Sequence, residues 1–198
     1  VDVIDVAKNK LTRTIALGGP KEPSLVRQGE ALFYDAKRSH NQWFSCHTCH
    51  TDGHTSGQNF DTLNDESFGT PKLAPTLRNV AKTGPWTWHG WQKDLGAAVA
   101  KSFTDTMYGP APSKRDVQAV VAFLETLEPP PLPKKNDPAI TRGAAVFSEK
   151  ARCARCHRPP LYTSPEVYDV KLESGGSPYE GYNPPSLLGL SERGPFMH

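Results

Sequence analysis

The sequence predicts a mainly α-helical chain of two tandem, related helical domains, the second incomplete, preceded by a short β-hairpin. Apolar residues recur at helical spacing, a Cys-x-x-Cys-His motif occurs twice, and further short sequences repeat along with it. Only residues 1–19 show a strand pattern. We therefore divide the chain into a hairpin at 1–19, a first domain at 20–128, a Pro-rich linker at 129–138 and a truncated second domain at 139–198.

The composition favours small cores over one large core. The chain has 198 residues, of which 36% are hydrophobic, with 19 prolines and 16 glycines. Two small cores built around large apolar cofactors suit this modest apolar supply. The net charge of +2 indicates no preference for nucleic acid, and no apolar run approaches the length of a membrane span. No basic and then apolar leader begins the chain, so we expect a mature, processed or partial protein.

The first 19 residues differ from the rest. Apolar residues around Val3 and Ile15 flank a turn at Lys8-Asn9-Lys10, which predicts two short strands. The segment resembles one hairpin of a β-propeller repeat. Because an isolated hairpin is marginal in water, we expect it to pair elsewhere or to belong to a larger propeller.

The first domain begins and ends with a helix. Ser24 is placed to cap a helix whose Leu25, Gly29 and Phe33 share one face. Residues 51–74 are polar and predict a loop. A capping box at Ser113 then starts a strongly periodic helix at 114–127.

The pattern restarts after the linker. Three pairs of sequences repeat: Arg27–Phe33 with Thr141–Phe147, Pro75-Thr76-Leu77 with Pro185-Ser186-Leu187, and Gly84-Pro85 with Gly194-Pro195. The last two pairs are each 110 residues apart. The second unit has no counterpart to residues 88–127, so we expect another chain or a missing segment to complete it.

The two Cys-x-x-Cys-His motifs predict two covalently attached haems. All four cysteines of the chain lie in them: Cys46, Cys49, Cys153 and Cys156. This pentapeptide is the signature of haem c attachment, with His50 and His157 as proximal iron ligands. A redox dithiol or a zinc site is the alternative, although neither needs the complete pentapeptide twice.

The sixth iron ligand decides what such a centre does. Met107 is the best candidate at the first haem, since it precedes the final helix, and a buried gap-filling side chain is the alternative. His89, among tryptophans, is its rival, although a structural histidine is an equal explanation. For the second haem only Met197 and His198 are late enough in the chain.

The order of these elements resembles class I cytochromes c, and the pair of units resembles the bacterial di-haem cytochrome c peroxidase/MauG family. The residues that carry the family resemblance are Pro75-Thr76-Leu77-Arg78-Asn79-Val80, Trp88-His89-Gly90, Pro185-Ser186-Leu187-Leu188 and Gly194-Pro195-Phe196-Met197-His198. The cytochrome c resemblance implies that Gly29 and Phe33 let the first helix cross the last near Phe123. The family resemblance implies one electron-transfer haem and one that reacts with peroxide, and calcium enters as a further cofactor by this resemblance alone.

The same resemblance assigns two further roles. Trp88 would relay electrons between the haems, with core or haem packing as the alternative. Arg78 would pair with a haem propionate, because arginine suits buried carboxylates.

Our leading hypothesis is a di-haem cytochrome that passes single electrons between its haems and a redox protein or small electron carrier. The alternative is an enzyme of the peroxidase or MauG type, which needs an open iron site and a nearby acid or base. A haem domain that serves mainly to dock a propeller is a third hypothesis. Because haem c is attached outside the cytoplasm in bacteria, we expect a periplasmic or otherwise exported protein.

Overall fold

The computed structural model describes residues 1–129, 137–173 and 175–190. Its regular structure is mainly helical, with two small antiparallel sheets. The strands are β1 (Asp2–Asp5), β2 (Lys10–Thr14), β3 (Asn59–Phe60) and β4 (Lys72–Leu73), and the helices are α1 (Leu25–Tyr34), α2 (Cys46–Cys49), α3 (Leu95–Lys101), α4 (Lys114–Leu124) and α5 (Pro138–Ala145). Most of the linker, the Gly194-Pro195 repeat, Met197 and His198 lie outside the described residues.

The N-terminal hairpin is confirmed. Strands β1 and β2 pair antiparallel from Asp2 opposite Thr14 to Asp5 opposite Lys10. Asn9 adopts the left-handed conformation in the turn, at φ 46°. Nearly every hairpin side chain is exposed, and Val6 keeps 87% of its surface in solvent. Within the described chain the hairpin forms a sheet of its own.

Helices α1 and α4 form the frame of the first half. Ser24 caps α1 by accepting a hydrogen bond from the backbone N–H of Arg27, and Ser113 with Asp116 forms the predicted capping box of α4. The two helices cross where Phe33 meets Phe123, with 5.2 Å between ring centroids, as the sequence predicts. Helix α4 ends at Leu124, three residues before the predicted end, and its last turn tightens so that the Leu127 N–H bonds to the Leu124 carbonyl at 3.1 Å.

Two elements were not expected. The stretch predicted as loop contains the short ladder β3–β4. The Asp94 side chain caps helix α3. A π-helical turn at Ser102–Thr106 follows α3 and ends at Met107. Apolar residues of α1, α3, α4, the π-helical turn and the segment at Val80 form one core with Met107: Phe33, Val80, Val99, Phe103, Met107, Val120, Phe123 and Leu124.

The second half repeats the local structure of the first but not its packing. Its motif closes the same tight turn, since His157 N–H bonds to the Cys153 carbonyl at 3.0 Å as His50 N–H bonds to that of Cys46 at 2.9 Å. Helix α5 follows its Asp137 cap and is exposed along its length. No described helix covers α5 in the way that α4 covers α1.

Candidate functional site

The first Cys-x-x-Cys-His motif forms one wall of a cavity of about 330 Å³. Ser45 and Thr48 bond reciprocally in a capping box that winds Cys46–Cys49 into one helical turn. This turn brings Cys46 and Cys49 to the same cavity, together with His50. Neither cysteine is in a disulfide. The turn thus presents two thiols and an imidazole to one space, as a covalently attached haem requires.

The imidazole of His50 is held in the tautomer that can bind a metal. Its Nδ1 lies 2.9 Å from the Pro75 carbonyl oxygen, and because a carbonyl only accepts, Nδ1 carries the proton. The lone pair is then on Nε2, the arrangement in which a second partner orients a ligating histidine. Burial lowers the pKa of His50 to about 4, although the Pro75 carbonyl opposes this shift. The ring is therefore neutral at ordinary pH.

The burial of the two thiols disfavours the reactive dithiol alternative. Burial raises the pKa of Cys46 to about 12 and that of Cys49 to about 11. A reactive dithiol uses the thiolate. Among residues 1–129, 137–173 and 175–190, no group of three or more His, Cys, Asp and Glu is placed to hold a metal ion.

Met107 lies on the same cavity as His50. It is 3% exposed, and its carbonyl accepts a hydrogen bond from the His40 N–H at 2.8 Å. Gly109 fixes the chain just after it, since a Cβ there would lie 1.9 Å from the Arg38 carbonyl oxygen. The structure therefore brings the predicted thioether and the attachment motif together in an apolar surrounding.

His89 lies on this cavity too and is only 4% exposed. Its Nδ1 is 2.7 Å from the Gly181 carbonyl oxygen, so its proton is on Nδ1, as in His50. Its ring stacks on Tyr179 at a centroid distance of 4.7 Å and packs at a tilt against Tyr182 at 4.8 Å. Its Nε2 is buried and has no hydrogen-bond partner within the described part of the chain. Burial lowers the pKa of His89.

Four further polar atoms of the cavity lining are buried and without a partner in the described structure: Arg78 Nε, Thr87 Oγ1, Trp91 Nε1 and Asn64 Oδ1. The first three can donate a hydrogen bond, whereas Asn64 Oδ1 can only accept one. Leaving a buried donor unsatisfied costs about 1–3 kcal/mol, so such a group on a cavity wall points to an acceptor inside. A haem has two carboxylates that can accept these hydrogen bonds. The cavity lining therefore fits both the polar carboxylates and the apolar ring of a haem.

One charged pair on the cavity was missed by the sequence reasoning. Lys72 Nζ donates to Asp65 at 2.9 Å and to the Thr70 carbonyl at 3.0 Å, and only 12% and 16% of the two charged side chains are exposed. Burial favours the neutral acid, but the hydrogen bonds from Lys72 and Ser67 outweigh it and lower the pKa of Asp65. Both residues lie in the 51–74 stretch that was predicted as loop, and their spacing in the sequence does not indicate that they form an ion pair.

Trp88 also lines the cavity, at the contact between the two halves. Its indole N–H donates to the Leu73 carbonyl at 2.7 Å, and its ring meets Tyr182 edge-on at 6.2 Å. Its own carbonyl accepts from the Asn183 N–H at 2.8 Å. The predicted relay residue is thus placed between the halves, while its packing also fits the structural alternative.

The second motif repeats the first histidine arrangement. His157 Nδ1 lies 3.1 Å from the Pro185 carbonyl, the counterpart of Pro75, and 3.1 Å from that of Tyr162. Cys153 and Cys156 are half-buried beside it. The repeat read from the sequence therefore holds at the level of hydrogen bonds.

Comparisons with known proteins give a family match over the first half of the chain. A model of the di-haem cytochrome c peroxidase family matches residues 23–129. The methylamine utilization protein MauG of Methylorubrum extorquens is 27% identical, over 90% of this chain and 65% of that protein. The hydrazine synthase subunit gamma of Kuenenia stuttgartiensis is 30% identical, over 76% of this chain and 49% of that protein. The chain thus spans less than two thirds of either relative.

Solved structures share the fold. A chain of xenon-pressurised hydrazine synthase from Kuenenia stuttgartiensis superposes with a TM-score of 0.81, at 19% identity, over 96% of this chain and 86% of its own length. A MauG-like protein associated with microbial copper homeostasis superposes with a TM-score of 0.59, also at 19% identity, over 93% and 72%. In the described residues no helix is long and apolar enough to cross a membrane.

Proposed function

Because the chain belongs to the di-haem cytochrome c peroxidase family, we propose that it carries two covalently attached haems and passes single electrons between them and a redox partner. The observation that carries this proposal is the shared cavity of Cys46, Cys49, His50 and Met107. When bound there, the haem supplies a reversible one-electron carrier. The two thiols would hold it, and His50 Nε2 would bind its iron.

Met107 is our choice for the sixth ligand of the first haem. Its side chain is buried among Phe103, Val120 and other apolar residues, which would keep water from a haem iron bound there. A His/Met pair raises the reduction potential of a haem and suits electron transfer. The alternative ligand, His89, is anchored on Gly181 in the second half and packs against the rings of Tyr179 and Tyr182.

Arg78 and Trp88 complete the first site in this proposal. Arg78 Nε would donate to a haem propionate, an acceptor that the described protein does not itself supply. Trp88 would carry electrons between the haems, since it lines the first cavity and contacts Tyr182 and Asn183 of the second half.

The second haem would be attached at Cys153 and Cys156, with His157 on its iron and His198 as the candidate sixth ligand. The exposed face of α5 supports our expectation that another chain or a further segment completes this unit. We place the protein in the periplasm or another exported location, because haem c attachment takes place there in bacteria.

A second candidate function is peroxide chemistry of the peroxidase or MauG type. It is favoured by the polar atoms of the cavity lining, among which the buried His89 Nε2 has no hydrogen-bond partner in the described structure. The Asp65–Lys72 pair adds two titratable groups on the same lining. Such an enzyme needs an accessible iron and a group that can move a proton, and these residues offer the second requirement.

An optical and EPR titration with hydrogen peroxide separates the two functions. Fully oxidised and half-reduced protein is titrated, and haem content is measured first. We expect two low-spin haems that do not consume peroxide. A high-spin signal with peroxide turnover would transfer the assignment to the enzymatic function, and fewer than two haems per chain would overturn both.

The His89→Ala variant sharpens this test. It removes the buried imidazole but leaves Met107 and the attachment motif. Electron transfer by a His50/Met107 haem predicts an unchanged low-spin spectrum in this variant, whereas peroxide chemistry assisted by His89 predicts a loss of turnover.

A further inference from the structure

The segment that carries Met107 is fixed by backbone hydrogen bonds on both sides of the thioether. The Met107 N–H donates to the Ser102 carbonyl at 2.9 Å and closes the π-helical turn, while the Met107 carbonyl accepts from the His40 N–H at 2.8 Å. Two residues further on, the Gly109 N–H donates to the Phe103 carbonyl at 2.8 Å. The position of the thioether therefore depends on how firmly this short segment is held.

The segment contains a strained residue. Tyr108, directly after Met107, has a φ of 50°. A bulky side chain adopts this left-handed conformation only where the surrounding structure holds it there. Tyr108 keeps 52% of its surface in solvent, so its own side chain buries little that could offset the strain. Contacts from other parts of the chain must keep the segment in place.

Arg38 provides such contacts. Its guanidinium carbon lies 5.2 Å from the centroid of the Phe103 ring, and its Nη2 donates to Asp116 Oδ2 at 3.1 Å. Asp116 is itself fixed at the start of α4, where its carboxylate accepts from the Ser113 N–H at 3.1 Å. The Arg38 carbonyl oxygen also lies so close to Gly109 that a Cβ there would be 1.9 Å away. Arg38 thus contacts α4 and the chain on both sides of the thioether.

These contacts are partly shielded from water and lie outside the first cavity. Only 25% of the Arg38 side chain and 28% of that of Asp116 are exposed, and Phe103 beneath them is buried. Ion pairs and cation–π contacts strengthen as water is excluded. The described residues that line the cavity include Phe103 and Met107 but not Arg38 or Asp116. Arg38 can therefore act on the site only through the segment that it holds.

We propose that Arg38 is a positioning residue for Met107, and that it clamps the π-helical turn onto α4 so that the thioether stays on the iron of the first haem. The inference rests on the proposed haem at this site and on Met107 as its sixth ligand. Displacement of the thioether by another ligand moves the 103–109 segment outward, which separates Arg38 from Phe103 or from Asp116. The clamp therefore favours the Met-bound state over the displaced state.

Competition with imidazole tests this role. The oxidised full chain with its haems attached is titrated with imidazole, and loss of the near-infrared band of the Met-ligated ferric haem gives the midpoint. Arg38→Ala should lower this midpoint about tenfold, the factor implied by the loss of one part-exposed ion pair and one cation–π contact. Arg38→Lys keeps a cation between Asp116 and Phe103 and should stay near the wild-type midpoint.

Arg27→Ala is the matched control, because it removes an exposed arginine that pairs with Glu30 on α1. It should leave the midpoint unchanged. Equal midpoints in wild type and Arg38→Ala, or an equal fall in Arg27→Ala, would overturn the clamp. Urea unfolding of the same variants completes the comparison, since an Arg38 with a purely structural role would lower the free energy of unfolding without moving the midpoint.

A further variant covers the case in which Arg38→Ala does not retain two haems. Arg38→Gln keeps much of the side-chain length but not the charge, and it should show a smaller fall in the midpoint. An unchanged midpoint in Arg38→Gln would also overturn the clamp. A wild type without the near-infrared band would instead contradict Met107 as the sixth ligand, and fewer than two haems would contradict the proposed function itself.

Discussion

Gly29 of α1 lies directly against the backbone of Ala119 in α4, so that a Cβ on Gly29 would be 1.8 Å from the Ala119 carbonyl oxygen. Only glycine permits this approach of the two helices. Their crossing brings Phe33 from one helix and Val120 from the other onto the lining of the same cavity. The spacing of the two helices that line the candidate haem site is therefore set by the absence of a side chain at Gly29.

This contact predicts opposite effects for one substitution at two repeated positions. Gly29→Ala should lower the free energy of unfolding by about 3 kcal/mol, because the helices must separate to admit the methyl group. Gly143 occupies the same place in the repeated sequence, but a Cβ there meets nothing within 4 Å. Gly143→Ala should stabilise α5 by about 0.5–1 kcal/mol through helix propensity. Urea unfolding of the two variants measures both effects, and equal effects would contradict the packing difference.

Replacing Met107 tests its role as an iron ligand. Met107→Leu keeps the buried volume and should cost less than about 1.5 kcal/mol in packing. It removes the thioether, so the near-infrared band of a Met-ligated ferric haem should disappear and the reduction potential of the first haem should fall. Potentiometric titration with optical detection measures both.

A neighbouring core position provides the control for Met107. Val99→Ala changes the same cavity lining without removing sulfur, and it should leave the band in place. If Met107→Leu also keeps the band, Met107 only fills space and the ligand is another residue.

Arg78 should raise the reduction potential of the first haem through its positive charge. Arg78→Ala should lower this potential and make it depend more strongly on pH, because a propionate that loses its cation binds a proton more readily. Arg78→Lys keeps the charge but not the Nε donor, so it should have an intermediate effect. Arg115→Ala is the control, since Arg115 is exposed and bonds to Gln28. Equal potentials in Arg78→Ala and wild type would remove Arg78 from the site.

The Asp65–Lys72 pair should contribute to stability. Lys72→Met leaves a carboxylate with little solvent and no cation, and it should cost about 3 kcal/mol. The double variant Asp65→Asn with Lys72→Met removes both charges and should recover most of this loss. Chemical unfolding at neutral pH compares wild type with the two variants, and equal stabilities of all three would show that the pair contributes little.

The same pair makes stability depend on pH. The pKa of Asp65 in the folded protein lies below its ordinary value of 3.8, so the unfolded chain takes up a proton first as the pH falls. Its stabilising contribution is present above this value and is lost as the pH falls through the lower folded pKa. The difference in unfolding free energy between wild type and Asp65→Asn should therefore shrink in acid, and a constant difference would contradict the shift.

The elements that the sequence predicted correctly depend on interactions between residues that are close together in the sequence. The Ser24 and Ser113 caps, the periodic face of α4 and the turn at Asn9 each involve residues a few positions apart. Helix α3 and the ladder β3–β4 were missed because they are short and their apolar pattern is weak. The predicted crossing of the first and last helices at Gly29, Phe33 and Phe123 was confirmed. This prediction came from the resemblance to class I cytochromes c.

By itself, the sequence determined the two attachment motifs, the hairpin, the main helices and the internal repeat, because each can be recognised from the types and spacing of neighbouring residues. Only the tertiary structure decided that Met107, His89 and the Asp65–Lys72 pair share one cavity, and that Asn183 closes its wall. The two repeated glycines show the physical reason. Gly29 and Gly143 have similar neighbours in sequence, but one is buried by α4 and the other is open. Burial and the pairing of polar groups depend on distant partners, which local patterns do not encode.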